Sequence, residues 1–311
     1  METKNFTLKG FEGHEMYCKK WANEENREPE AIIQIAHGMA EHIDRYDDFA
    51  KYMVKNGYVV FGNDHRGHGK TPSKSHTFGY LSDEEGWRKT VMDLTYLREE
   101  IEKQYSNEPK VMLGHSMGSF LARDYAQEFG ANLQGLILSG TGGRLGLLGN
   151  LGLILAKFEK NIKGKQKKSP LMDQLIFGKY NKKFEPAKTP FDWLSSNEEE
   201  VRAYMEDPLC GNIMTTGFYV DLLQGIKKIH LGKNMKKMPK NLPVLLLSGD
   251  MDPVGKEGAG VREVQRLFEE KGIQDLEMIL YPKGRHEMLN ENNKEEVYRD
   301  IVDWIKSKVR K

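Results

Sequence analysis

Six short and nearly uninterrupted apolar runs constrain this chain more than any other feature: AIIQIAHG (31–38), YVVFGND (58–64), KVMLGHS (110–116), LQGLILSG (133–140), LPVLLLSGD (242–250) and LEMILYP (276–282). Their length and β-branched content are those of strands buried on both faces, and such strands belong to parallel sheets covered by helices. The stretches between them carry helical periodicity, at 46–56, 83–104, 119–129, 258–271 and 294–309. Strand and helix therefore alternate, with right-handed β-α-β crossovers. The segments NFTLKGF and EMYCKKWA alternate apolar with polar residues instead, which predicts an antiparallel hairpin at the sheet edge with its turn near Glu12 and Gly13.

The alternation stops after Gly140 and resumes at Leu242. The expected architecture is α/β: a mostly parallel central sheet flanked by helices, built from residues 1–141 and 241–311, with 142–240 inserted as a helical cap or lid. This insertion holds 18 Lys/Arg against 10 Asp/Glu in a chain whose total charge is +1, so the remainder is acidic. A near-neutral total argues against a dedicated nucleic-acid binder. A hydrophobic content of 38% excludes a disordered polyelectrolyte.

The stretch LGLLGNLGLILA (145–156) is far short of the roughly 20 residues a spanning helix needs. Lysines follow at 157, 160, 163, 165, 167 and 168. An apolar face beside a basic cluster suits an anionic lipid surface, so residues 145–168 are a candidate for peripheral membrane contact. A lid over an acyl tunnel, or a core helix followed by a solvated linker, would use the same residues. Aromatic residues are not interleaved for base stacking, and nucleic acid is not an expected partner. The start METKNFTLKGFEG lacks an apolar stretch behind a basic one, and Cys18 and Cys210 offer no disulfide framework. A reducing, cytoplasmic setting is the expectation, with contact at the membrane periphery.

In a doubly wound sheet the reactive groups lie beyond the carboxyl ends of the strands. The run VML leads into Gly114-His115-Ser116-Met117-Gly118 and then a helix, the context of a G-x-S-x-G turn that exposes a nucleophilic serine. A serine hydroxyl needs a base to take its proton, and the base needs a third group to hold its tautomer. His286, after the last apolar run, is the candidate base. Asp252 is preferred over Asp250 as the orienting acid, because it stands past the strand end where it can swing toward the imidazole. Charge developing on the substrate oxygen calls for backbone N–H donors. His37-Gly38-Met39 closes the first run, so the amides of Met39 and Met117 can converge on one oxyanion. The His37 side chain reads either as part of that loop's chemistry or as a buried histidine closing a strand.

Two other clusters carry less. GHGKT (67–71) ends like a phosphate-binding loop, but the required first glycine falls at Asp64. Asp64, His65 and His68 share a glycine-rich turn without a fourth ligand elsewhere in the sequence, so neither a metal nor a cofactor is expected and a loop packed beneath the site is.

HGMAEHIDRY (37–46), NDHRGHGKT (63–71), GHSMGS (114–119), DPLC (207–210) and GDMDPVG (249–255) occur in one order along almost the whole chain. In these motifs the sequence resembles the α/β-hydrolases of the monoacylglycerol lipase, lysophospholipase and serine aminopeptidase-like group. The resemblance implies an α/β-hydrolase fold, a triad of Ser116, Asp252 and His286, and oxyanion amides at Met39 and Met117. It further implies that Glu41, Arg45 and Tyr204 lie near the polar head of a monoglyceride. The animal lipases of the group carry a second histidine three positions after the catalytic one, where this chain has Leu289.

The expected activity is hydrolysis of a lipid or small ester through an acyl-enzyme, of monoacylglycerol lipase or lysophospholipase type. A short-chain carboxylesterase would use the same triad. A peptidase would need an anchor for a free amino group, for which Glu198, Glu199 and Glu200 are candidates, although such a run also suits a solvated helix start. A ligand binder without turnover conflicts with the presence of all three triad residue types.

Overall fold

The computed structural model describes residues 1–23, 28–71 and 77–309. Among them, β1 (Glu2–Lys9), β2 (Glu15–Ala22), β3 (Ile32–Ala36), β4 (Val59–Asn63), β5 (Lys110–His115), β6 (Gly135–Ser139), β7 (Val244–Gly249) and β8 (Leu276–Tyr281) form one sheet, ordered β1-β2-β4-β3-β5-β6-β7-β8. The pairs β1·β2 and β2·β4 are antiparallel and all others parallel. The six apolar runs are thus the parallel strands, and the hairpin is the antiparallel edge. Its turn is a short 3-10 segment, Phe11–Gly13.

The helices are α1 (Asp47–Lys55), α2 (Gly86–Gln104), α3 (Met117–Phe129), α4 (Gly146–Lys163), α5 (Pro170–Phe177), α6 (Glu198–Glu206), α7 (Thr216–Ile229), α8 (Gly232–Met235), α9 (Ala259–Glu270) and α10 (Lys294–Lys308). Strand alternation assigns each apolar side chain to a layer. Val111, Leu113, Leu245 and Leu247 pack with Phe49 and Met53 of α1 and with Ile301 and Trp304 of α10. Their neighbours Met112, Val244 and Leu246 pack with Leu94 of α2, Leu121 of α3 and Val264 of α9. Each such burial contributes about 1.5–3 kcal/mol of transfer free energy, and the sheet is therefore a rigid floor for whatever its strand ends carry. Helix α3 starts at Met117 rather than 119, because the turn after β5 passes directly into helix.

Helices α4 to α8 stand between β6 and β7. Phe218 and Leu222 of α7 join the cluster of α2 and α3, which ties the insertion to the sheet's helical layer. Helix α4 rests on α7 through Leu153 and Ala156. Its other face is bare: Leu147 and Leu148 are 85% and 84% exposed, and Leu151, Ile154, Phe158 and Ile162 are exposed with them. Phe177, Phe191, Trp193 and Tyr204 make a separate aromatic cluster in the insertion. No helix of the described residues is long and apolar enough to cross a membrane.

Candidate active site

Ser116 occupies the turn between β5 and α3 with φ 52° and ψ −120°. A non-glycine residue in so sparsely populated a region costs about 1–3 kcal/mol, which the surrounding structure must impose. The constraint is visible at Gly118, where a β-carbon would sit 1.9 Å from the carbonyl oxygen of Ala36 on β3. Only glycine lets α3 lie that close to the strand. The Ser116 amide donates to the Ser139 carbonyl on β6 at 2.9 Å, pinning the turn from the other side. Met117 opens α3, so its amide is among those without an intrahelical acceptor and lies at the positive end of the helix dipole.

Nδ1 of His286 lies 3.0 Å from Oδ1 of Asp252, with both side chains buried. The Asp252 carboxylate also accepts from the Val254 amide at 2.8 Å and the Ser248 hydroxyl at 3.3 Å. An ionised carboxylate only accepts, so Nδ1 carries the hydrogen and Nε2 is left as the base. Burial alone would raise the Asp252 carboxyl, and His286 overrides it, holding the acid below its ordinary value. Burial likewise disfavours a charged imidazole, yet Asp252 outweighs it and raises His286 above its ordinary value. Asp250 is exposed and accepts from the Lys283 amide at 2.7 Å instead.

His286 and Ser116 line one cavity. The His286 ring centre is 4.8 Å from that of His115, the residue before the serine, and 5.2 Å from that of Trp193 in the insertion. Burial, and then the proximity of His286, push His115 down to about 4, so this second imidazole stays neutral. The loop after β3 closes the group: a β-carbon on Gly38 would lie 3.2 Å from that of Ser116. Met39 follows Gly38 and lines the cavity. The loops bearing Met39 and Met117 therefore meet at the serine.

The residues linked by resemblance to a polar head divide into two layers. Glu41 and Tyr204 line the cavity. The Tyr204 hydroxyl donates to the Ala40 carbonyl at 3.1 Å, which the Gly211 amide also reaches at 2.9 Å. Arg45 stands behind them and does not line the cavity. Its guanidinium donates to both oxygens of Glu287 at 2.7 Å and to Glu41 at 2.9 Å, with its carbon 4.8 Å from the Tyr204 ring centre. Neither Glu287 nor Trp193 was anticipated. Only the adjacency of Glu287 to His286 could have signalled it. Leu289 is buried and its carbonyl accepts from Tyr298 at 2.7 Å.

The cavity encloses about 220 Å³, with Phe177, Phe191, Trp193 and Met214 from the insertion facing the serine and histidine. Glu198 and Glu199 are exposed in the first turn of α6, and Glu200 pairs with Lys294 at 3.1 Å. None of the three lines the cavity.

His37 is fully buried: its Nε2 accepts the His65 amide at 2.9 Å, so Nδ1 donates to the Gly38 carbonyl at 2.7 Å. Burial holds His37 well below its ordinary value, with His65 at about 3 and His68 at about 4. These rings are neutral packing elements beneath the site. Asp64 accepts the amides of Ile43 and Lys70, at 2.8 and 2.6 Å, and the Lys70 amine is 2.7 Å from Asp44. Loop 63–71 is thus a support. Among the described residues, donor atoms converge within 4.8 Å at a different group, His42, Asp207 and Cys210, where His42 and Asp207 already pair at 2.8 Å.

The sequence profile described as "Serine aminopeptidase, S33" matches residues 27–293. The monoglyceride lipase of Rattus norvegicus is 27% identical over 304 residues, covering 96% of this chain and 89% of that protein. The monoacylglycerol lipase of Mycolicibacterium smegmatis is 27% identical over 289 residues, covering 90% and 89%. Among solved structures, a thermostable carboxyl esterase from Bacillus coagulans in complex with glycerol superposes with a TM-score of 0.91 at 30% identity, covering 99% of each chain.

Proposed function

Given that this chain belongs to the serine aminopeptidase S33 family of α/β-hydrolases, we propose that it is a carboxylic ester hydrolase acting on lipid esters, of monoacylglycerol lipase or lysophospholipase type. Ser116 attacks the ester carbonyl. His286 takes the hydroxyl proton on Nε2 and returns it to the departing alcohol, while Asp252 holds the tautomer and stabilises the imidazolium. The amides of Met39 and Met117 take the charge that develops on the carbonyl oxygen. Water then repeats the sequence on the acyl-enzyme and releases the acid.

One observation carries this reading: the His286–Asp252 pair, 3.0 Å apart, opens onto the same cavity as the strained Ser116. Lipid lipases of the relatives' names, spanning nine-tenths of the chain or more, support the substrate class. The cavity volume favours a second possibility for acyl length. At about 220 Å³ it is smaller than the roughly 300–1,000 Å³ of sites that enclose drug-sized ligands, so the conformation described here suits short acyl groups, and a long chain requires the cap to move.

We assign residues 1–141 and 241–311 to the hydrolase core and 142–240 to the cap. The bare face of α4, with Lys157, Lys160 and Lys163 on the same helix, fits a cap that rests on an anionic lipid surface and opens there.

Labelling with a fluorophosphonate tests the chemistry: wild-type protein takes one label, and Ser116→Ala takes none while keeping its fold. A panel of monoacylglycerols, lysophospholipids and p-nitrophenyl esters then ranks head group and acyl length. Full turnover by Ser116→Ala overturns the assignment.

A further inference from the structure

Arg45 connects two loops that are 242 positions apart in sequence and that carry different halves of the chemistry proposed above. On one side is the loop after β3. There Glu41 accepts the Gly38 amide at 2.5 Å, the Tyr46 hydroxyl at 2.9 Å and Arg45 at 2.9 Å. Glu41 thereby fixes the His37–Gly38 peptide, one residue ahead of the Met39 amide. On the other side is the loop after β8, where Glu287 follows His286 directly. Glu287 is held by both Arg45 nitrogens, by the Asn290 side chain at 3.0 Å, and through its own amide by the Leu194 carbonyl at 2.7 Å.

The charges leave little freedom. The side chains of Arg45, Glu41 and Glu287 are 10%, 4% and 5% exposed. Two buried carboxylates that face each other repel unless a cation stands between them, and a guanidinium fork is the group that can hold both at fixed geometry. A lysine in its place supplies the charge at one point only. Burial would raise the Glu287 carboxyl, and Arg45 reverses this, holding it at about 2. The guanidinium also lies over the Tyr204 ring, 4.8 Å from its centre.

We propose that Arg45 is a positioning residue that sets the separation between the Met39 amide and the His286 imidazole through its paired carboxylates, and that it makes no contact with the substrate's head group. The inference rests on the hydrolase reading of Ser116 and His286. It assigns Arg45 a role in every turnover, whatever the ester. Displacements on the scale of 1 Å at reacting groups lower rates by about a hundredfold, and that sets the expected size of the effect.

The test measures kcat and KM for wild type, Arg45→Lys and Glu287→Gln on a monoacylglycerol and on p-nitrophenyl acetate, which has no glycerol to bind. Thermal unfolding of each variant establishes that it is folded. Arg45→Lys is expected to lower kcat about tenfold to a hundredfold on both esters with KM within about twofold of wild type, and to slow fluorophosphonate labelling of Ser116 in parallel. Glu287→Gln, which keeps the shape but loses the charge, is expected to lose part of the same kcat. A rise in KM confined to the monoacylglycerol, with kcat unchanged, makes Arg45 a head-group contact and overturns the proposal. Unchanged kinetics in folded Arg45→Lys overturn it as well. Wild-type protein that takes no label is a different failure, that of the hydrolase reading itself.

Discussion

Asp252 and His286 share a hydrogen bond of 3.0 Å inside a pocket that leaves both side chains almost fully buried. Because the carboxylate raises the imidazole's affinity for a proton against the opposing effect of burial, the base is neutral only above its ordinary value of 6.5. The acid limb of the kcat/KM profile is therefore expected above pH 6.5. In Asp252→Asn burial dominates, so that limb moves to lower pH while the plateau falls by about 10⁴-fold through loss of the reactive tautomer. A pH-rate series on p-nitrophenyl acetate for both proteins reads the two effects separately.

The backbone at Ser116 gives a prediction about stability alone. Its φ of 52° strains any residue with a β-carbon, so Ser116→Gly is expected to raise the unfolding free energy by about 1 kcal/mol or more. Ser116→Ala keeps the β-carbon and is expected to show no such gain. Both are inactive. Urea unfolding of the three proteins checks the difference, and equal stability of the glycine and alanine variants would place the strain elsewhere.

Gly118→Ala is expected to destabilise the fold by about 1–3 kcal/mol or more, since the added methyl collides with backbone rather than with a side chain that can turn away. The urea midpoint should fall with an unchanged slope, and turnover should fall with it as α3 is displaced from β3.

β3 to β7 were readable because burial on both faces leaves a short continuous apolar run, whereas β8 at the sheet edge is only partly buried along the same kind of run. The run 110–116 became Lys110–His115, and 242–250 became Val244–Gly249. Serine, aspartate and histidine were readable for a related reason: each stands where a parallel strand ends, and strand ends can be counted. What sequence could not supply were partners chosen by tertiary contact. Nothing periodic joins Arg45 to Glu287, so the two carboxylates that engage its fork could not be read from the sequence. The same holds for α4. Its sequence offered an apolar stretch followed by lysines, which does not say whether the apolar residues are covered, and here one side packs on α7 while the other is exposed.

That exposed face leads to a binding prediction. Ile154→Glu and Phe158→Glu are expected to weaken association with vesicles containing anionic lipid, while turnover of soluble p-nitrophenyl acetate stays at the wild-type level. Replacing Lys157, Lys160 and Lys163 by Gln should cost about 1 kcal/mol of binding per residue and flatten its salt dependence. Sedimentation with vesicles of phosphatidylglycerol and of phosphatidylcholine separates the two contributions. Unaltered binding in all variants would remove the cap from the interface.

Acid should loosen the protein through Glu287. Its folded value of about 2 lies below the ordinary 4.5, so its contribution to stability is complete above 4.5 and is lost as the pH falls from 4.5 toward 2. Asp252, also depressed, acts in the same direction below its ordinary 3.8. Urea midpoints are expected to drop between about pH 5 and pH 3 in wild type and to drop less in Glu287→Gln.

The uneven distribution of charge, 18 basic against 10 acidic residues in 142–240 within a chain of total +1, makes the molecule a permanent electric dipole. A negatively charged bilayer exerts a torque on such a body before touching it, over the Debye length of about 10 Å at 0.1 M salt. On the proposed reading of the cap, that torque would turn the insertion toward an anionic surface before contact.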